Sequence, residues 1–262
     1  MKGNLLLFSL IALVISFFAP TPEAHAQDPK YGRMLEDLVD GKYERVLFRA
    51  IGFTEKENTK KHPEPYSYMA RAYLKIHQSD DPGLKESYPK ALKESLKYCT
   101  KFIKKDKEFE YVPDQLEFIE ELRSETIAQA DTEMDAEKYT RAKSLYNYLT
   151  KLDKSDPAAY VMLGLANYYA KATRDAEENW SVSIELLGSL TGRIPASEEI
   201  EFIREEPLTE SMTNLLKTGI IRASEQLDAD GKRTKAIELL ESGLPLFEGD
   251  RSFMVTYGSI IG

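Results

Sequence analysis

From Pro157 to Trp180 the chain reads PAAYVMLGLANYYAKATRDAEENW. Tyr160, Leu163, Gly164 and Tyr168 recur at helical spacing, and Ala176 with Trp180 continues that spacing one helix later. The pattern predicts two short helices joined by a tight turn. Gly164 has no side chain, so one helix is expected to approach its hairpin partner closely there, and Ala176 should do the same from the second helix. Trp180 is expected to fill the wider space between adjacent hairpins. Asp156 before Pro157 reads as a helix start, a side-chain acceptor followed by proline at the first helical position.

Working outward, a shorter signal recurs along the chain. Tyr43-Glu44-Arg45-Val46, Tyr88-Pro89-Lys90-Ala91, Tyr139-Thr140-Arg141-Ala142 and Arg233-Thr234-Lys235-Ala236 each place Tyr or Arg three residues before a small apolar residue, with a basic residue just before the small one. Thr173-Arg174-Asp175-Ala176 is a weaker fifth copy. From Ala142 to Ala176 the step is 34 residues; the other steps are 45, 51 and 60. The excess falls in polar, Pro- and Gly-punctuated stretches at 54–65, 79–87 and 188–207, which read as loops.

A 34-residue helix-turn-helix period, with Leu-Gly and aromatics in the first helix and Ala and an aromatic in the second, resembles the tetratricopeptide repeat family. Tyr160 stands at the first aromatic position; Asn167 occupies the second, with Tyr168 beside it. The preceding unit offers Ala130, Ala142 and Tyr146. Earlier, Tyr66, Met69, Ala70 and Tyr73 read as a first helix, with its second helix delayed to 89–105. The N-terminal unit keeps Gly41-Lys42-Tyr43 and Val46, and the last pairs 208–227 with 234–246. The expectation is an all-α fold, an α-solenoid of about five such repeats with loop insertions. Residues 27–110 would hold the more degenerate repeats and 111–262 the better ones. No alternating apolar and polar run is long enough to suggest a sheet.

The chain opens with Met1-Lys2, an apolar run of 14 residues from Leu5 to Phe18, Pro20 and Pro22, then Ala24-His25-Ala26 before Gln27. A basic start, an apolar middle and a small-x-small end make residues 1–26 a secretory signal peptide. The run is short of the about 20 apolar residues a bilayer span needs. The one cysteine of the chain, Cys99, is far from it, so a lipoprotein attachment lacks its acceptor thiol. The mature chain is expected to be exported, to the periplasm, with no transmembrane segment after cleavage.

Composition narrows the function. Across 262 residues, 44 Asp and Glu outnumber 35 Lys and Arg, for a net charge of −9. Nucleic acid is therefore not the expected partner, since phosphates demand clustered basic residues. A hydrophobic content of 42% supports a packed core. Cys99 sits in a helical apolar pattern and reads as a buried thiol. His62 and His77 show no metal-ligand spacing. Glu120-Glu121, Glu177-Glu178, Glu198-Glu199 and Glu205-Glu206 are adjacent in sequence, so on a helix they diverge into solvent rather than form an acid–base pair. No Gly-rich phosphate loop or nucleophile elbow occurs. No catalytic, cofactor or metal residues are assigned, and the chain is not expected to be an enzyme.

The resemblance implies a concave surface lined by first helices that holds a protein partner. Its positions here would be Ala158, Val161, Leu165 and Tyr168, with Ser124, Ile127, Asp131 and Met134 in the preceding unit. They mix apolar and acidic residues and lack the Lys and Asn clamp that some family members use on acidic peptide ends. Residues 252–262 are apolar, which suggests an uncapped interaction edge, since terminal repeats normally carry a polar outer face. The expected function is an exported scaffold or assembly factor for a cell-envelope complex, with possible self-association through 252–262. The alternatives are a helical-repeat regulator or enzyme acting on the cell wall, and a saccharide-binding protein drawing on the 15 tyrosines.

Overall fold

The turn after each first helix builds the architecture. Asp37 accepts from Lys42 N at 2.8 Å, and the same six-to-one bond recurs from Lys138 to Glu133, Ala172 to Asn167 and Lys232 to Leu227. In each case the intervening residue is left-handed: Gly41, Glu137, Lys171 and Gly231 have φ between 56° and 73°. This is the Schellman arrangement, which satisfies terminal carbonyls and folds the chain back on itself. Four units therefore share one turn, although only two of them have glycine in the strained position.

The computed structural model describes residues 29–190, 193–195, 201–203 and 207–262, so residues 1–26, expected to be a signal peptide, lie outside the described residues. Five hairpins follow in chain order: α1 (Gly32–Val39) with α2 (Tyr43–Glu55), α3 (Glu64–Gln78) with α5 (Ala91–Lys105), α6 (Leu116–Asp135) with α7 (Tyr139–Leu152), α8 (Pro157–Tyr169) with α9 (Thr173–Gly188), and α10 (Glu210–Ala229) with α11 (Arg233–Phe247). The second unit carries an extra helical turn, α4 (Pro82–Ser87), within the insertion at 79–87. Helix α12 (Arg251–Ile261) closes the stack. The expected all-α solenoid of five helix-turn-helix units is the fold observed. Within the insertion at 188–207, otherwise largely outside the described residues, β1 (Arg193–Pro195) pairs antiparallel with β2 (Glu201–Ile203), Ile194 opposite Phe202. Three residues a strand are too few for an alternation signal.

Small residues set the helix spacing. Val46, Ala91, Ala142, Ala176 and Ala236, the last residues of the recurring pattern, are all buried. They stand in the first turn or so of each second helix, where a larger side chain would hold it off the first. The main apolar cluster runs from Ala70 through units three to five to Ile260, without a break at residue 110. Asp156 caps α8 by accepting from Ala158 N at 2.9 Å and Ala159 N at 3.2 Å.

Two expectations are corrected. Trp180 does not fill space between hairpins. It lies inside its own, where a Cβ on Gly164 would fall on the indole with Cδ1 at 2.5 Å, and its Nε1 donates to Val161 O at 3.2 Å. The missing side chain at Gly164 makes the slot for the ring. Residues 252–262 are only in part an exposed edge. In α12, Phe253, Thr256 and Ile260 turn inward, with Phe253 against Gly243 and 5.2 Å from the Phe247 ring. Those three residues extend the core, while Met254, Val255 and Ile261 keep the expected apolar outer face.

Candidate functional site

Helix α6 shows how a first helix is divided between core and surface. Phe118, Leu122, Thr126, Ala130 and Met134 recur every four residues and are all buried, one stripe of a 3.6-residue helix. The faces beside it carry Ser124, which is exposed, and Ile127 and Asp131, which are half-buried. Asp131 Oδ1 accepts from the Tyr146 hydroxyl at 2.8 Å. Burial first, then the nearby Asp131 carboxylate, pushes the Tyr146 phenol well above its ordinary range.

Helix α8 is different. Ala158, Val161 and Leu165 are fully buried and Tyr168 is 9% exposed. Trp180 closes one side; on the other, Gly219 of α10 comes so near that a Cβ there would sit 2.5 Å from Val161 Cγ1 and 3.0 Å from Met162 Sδ. The Tyr168 hydroxyl donates to Asp230 Oδ2 at 2.7 Å. Burial and this bond push the phenol up to about 12. The eight predicted positions thus do not form one accessible surface. Those of α8, and Met134 of α6, pack within or between units. Ser124, Ile127 and Asp131 are the three that keep exposed surface.

Around those three, the first-helix side of units three to five is aromatic and acidic. Tyr139 stacks on Tyr169 with centroids 4.9 Å apart and planes at 21°. Asp131 bears on Tyr146, Asp230 and Glu225 bear on Tyr169, and Arg222 acts on both tyrosines in the opposite sense, with Lys232 4.7 Å from the Tyr168 ring centre. All 15 tyrosines are buried or half-buried. His62 precedes α3 and approaches Tyr111 at 3.3 Å, while His77 sits in its last turn, 3.9 Å from Glu125. A helix of 15 residues, about 22 Å, keeps them apart. Among the described residues no group of His, Cys, Asp or Glu is placed to hold a metal ion, and no helix is long and apolar enough to cross a membrane.

The residue that joins the three first helices is Arg123, which the sequence did not flag. It is 4% exposed, pairs with the equally buried cap Asp156 of α8, and its Nε donates to Ser211 Oγ of α10 at 3.4 Å. A single arginine in a polar helix carries no local signal. What could have found it is that 123 falls one residue after Leu122 on the buried stripe. Gly219 was missed for a similar reason, since a lone glycine in LLKTGII gives no clue to which neighbour approaches it.

No family model matches the chain, and no curated protein matches it. Among solved structures it is similar to the "TPR2AB-domain:pHSP90-complex of yeast Sti1", with 14% identity over 88% of this chain and 83% of that one, at a TM-score of 0.34. The repeated hairpins and their shared turn define the class: an α-solenoid of tetratricopeptide-like helical hairpins.

Proposed function

We propose that the protein is an exported, non-enzymatic scaffold or assembly factor of the cell envelope, working in the periplasm of a Gram-negative bacterium. Its protein partner binds the open face of α6, around Ser124, Ile127 and Asp131. One observation carries the reading. Arg123 ties α6 to α8 and α10 from within, so the open face of α6 is held in a pre-ordered setting, and ordering costs on binding are low. Export rests on the three-part signal at 1–26, and the acidic, aromatic surface favours a partner segment carrying Lys or Arg.

Cross-linking in cells followed by affinity capture of the tagged chain tests this against an Asp131→Arg, Ser124→Arg variant. The expected result is an envelope protein recovered with the parent chain and lost with the variant, at equal helicity and thermal midpoint. Equal recovery from both would remove the surface from the account. N-terminal sequencing of the periplasmic chain is expected to begin at Gln27; a chain retained with residues 1–26 in the cytoplasm would remove export.

A further inference from the structure

The recurring pattern has a feature the repeat alone does not explain, its basic residue. Equivalent residues in successive units lie near one another across the seam between them, so their charges meet. At the seam of units three and four the equivalent residues are Arg141 and Asp175, of opposite sign, and Lys143 reaches Asp175 at 3.5 Å. At the seam of four and five, Lys235 pairs with Glu177 at 2.5 Å. At the seam of units two and three both residues are basic, Lys90 and Arg141, and Lys93 stands beside them.

This seam also holds a cleft of about 550 Å³, within the range of small-molecule sites. It opens between the hairpin tips, where α4 replaces the ordinary turn of unit two and the tip of unit three keeps it. Leu92 and Leu145, each buried elsewhere, line its floor, and Lys90, Lys93 and Arg141, all exposed, line its walls. Glu133 also lines it, but accepts from Gln129 at 3.3 Å and faces Arg141 at 3.9 Å. The ammonium groups of Lys90 and Lys93 have neither ion pair nor hydrogen-bond partner among the described residues. No side chain caps the N-terminus of α5, at which both lysines stand, and that helix end adds to the attraction for a negative charge.

We infer that this cleft binds a small anionic amphiphile, with its charged head on Lys90, Lys93 and Arg141 and its apolar body between Leu92 and Leu145. The site lies at the hairpin tips of units two and three, away from the surface proposed for the protein partner, and stands independently of that reading.

Methyl NMR of the full chain tests it, following Leu92 and Leu145 during titration with octanoate and, separately, octanol. Octanoate is expected to shift both methyls saturably, with affinity falling as salt rises because the wall charges are exposed. Octanol is expected to bind at least about tenfold more weakly, and Lys90→Glu with Arg141→Glu to weaken octanoate by about tenfold or more. Arg45→Glu, the equivalent exposed position of unit one, should leave it unchanged. Equal binding of octanol, unchanged octanoate binding in the double variant, or no shift at all would each overturn the inference. Unchanged leucine methyl spectra of the ligand-free variants establish that the cleft is intact in them.

Discussion

Helices α6 and α8 hold the same station in successive units, yet one is half open and the other closed. Nearly every side chain of α8 from Pro157 to Tyr168 is buried, whereas α6 buries one four-residue stripe and leaves Ser124 exposed. The cause lies in their neighbours. Helix α8 receives Trp180 in the slot at Gly164 and α10 in the slot at Gly219, while α6 meets α8 and α10 mainly through the single buried arginine at its inner edge. Accessibility in a stack is set by what packs against each unit, and repeat-equivalent positions do not inherit it.

The contrast breaks most severely at Arg123. Arg123→Ala leaves the buried Asp156 carboxylate without its counter-charge, and is expected to cost about 3–5 kcal/mol, read from chemical denaturation. Arg123→Lys should recover part of that, because it restores the charge without the two-pronged geometry. Closing the slots of α8 comes next: Gly219→Ala and Gly164→Ala are each expected to cost about 1–3 kcal/mol through overpacking. Ser124→Ala on α6 should change stability by less than about 0.5 kcal/mol. If the α8 and α6 substitutions proved equally costly, the contrast would be lost.

Smaller effects sharpen it. Asp250 accepts from Lys217 at 2.7 Å and from Phe253 N at 3.0 Å at the start of α12. The Lys217 bond first, then those of Ser252 and Phe253, holds its carboxyl well below the usual range. A depressed carboxylate stabilises the fold above its unfolded pKa, about 3.9, and that contribution is lost as pH falls through the lower folded value. The difference in thermal midpoint between the parent and Asp250→Asn should therefore be present at pH 6 and shrink as the solution is acidified below about 4. The smallest expected change is a gain: Glu137→Gly removes the left-handed penalty at a turn where units one and five already have glycine, worth up to about 1 kcal/mol in the same denaturation assay.

The hairpins were legible because their signals are local. Leu163-Gly164, the small residues of the recurring pattern and Asp156-Pro157 each act on neighbours within one or two turns. The direction of Trp180, the closure of the stack by 252–262 and the burial of Val161 and Leu165 were not legible. The burial of Val161 depends on Gly219, far along the chain, and that of Phe253 on Gly243 in the preceding helix, while the slot Trp180 enters is Gly164 of its own hairpin, whose occupant the pattern does not name. Transferring groove positions by repeat equivalence found the open face of α6 and the closed face of α8 alike, since nothing in PAAYVMLGLANYY records that α10 covers it.

The most direct measurement is maleimide labelling of Ile127→Cys and Leu165→Cys, in the purified chain and in intact cells. Cys99 supplies a silent background, because complete burial pushes its thiol up to about 12. The account predicts fast labelling at position 127 in the purified chain, protection there in cells where the partner covers α6, and no labelling at 165 until the protein is unfolded. Comparable labelling at 165 in the native chain, or equal labelling at 127 with and without the cellular setting, would contradict it.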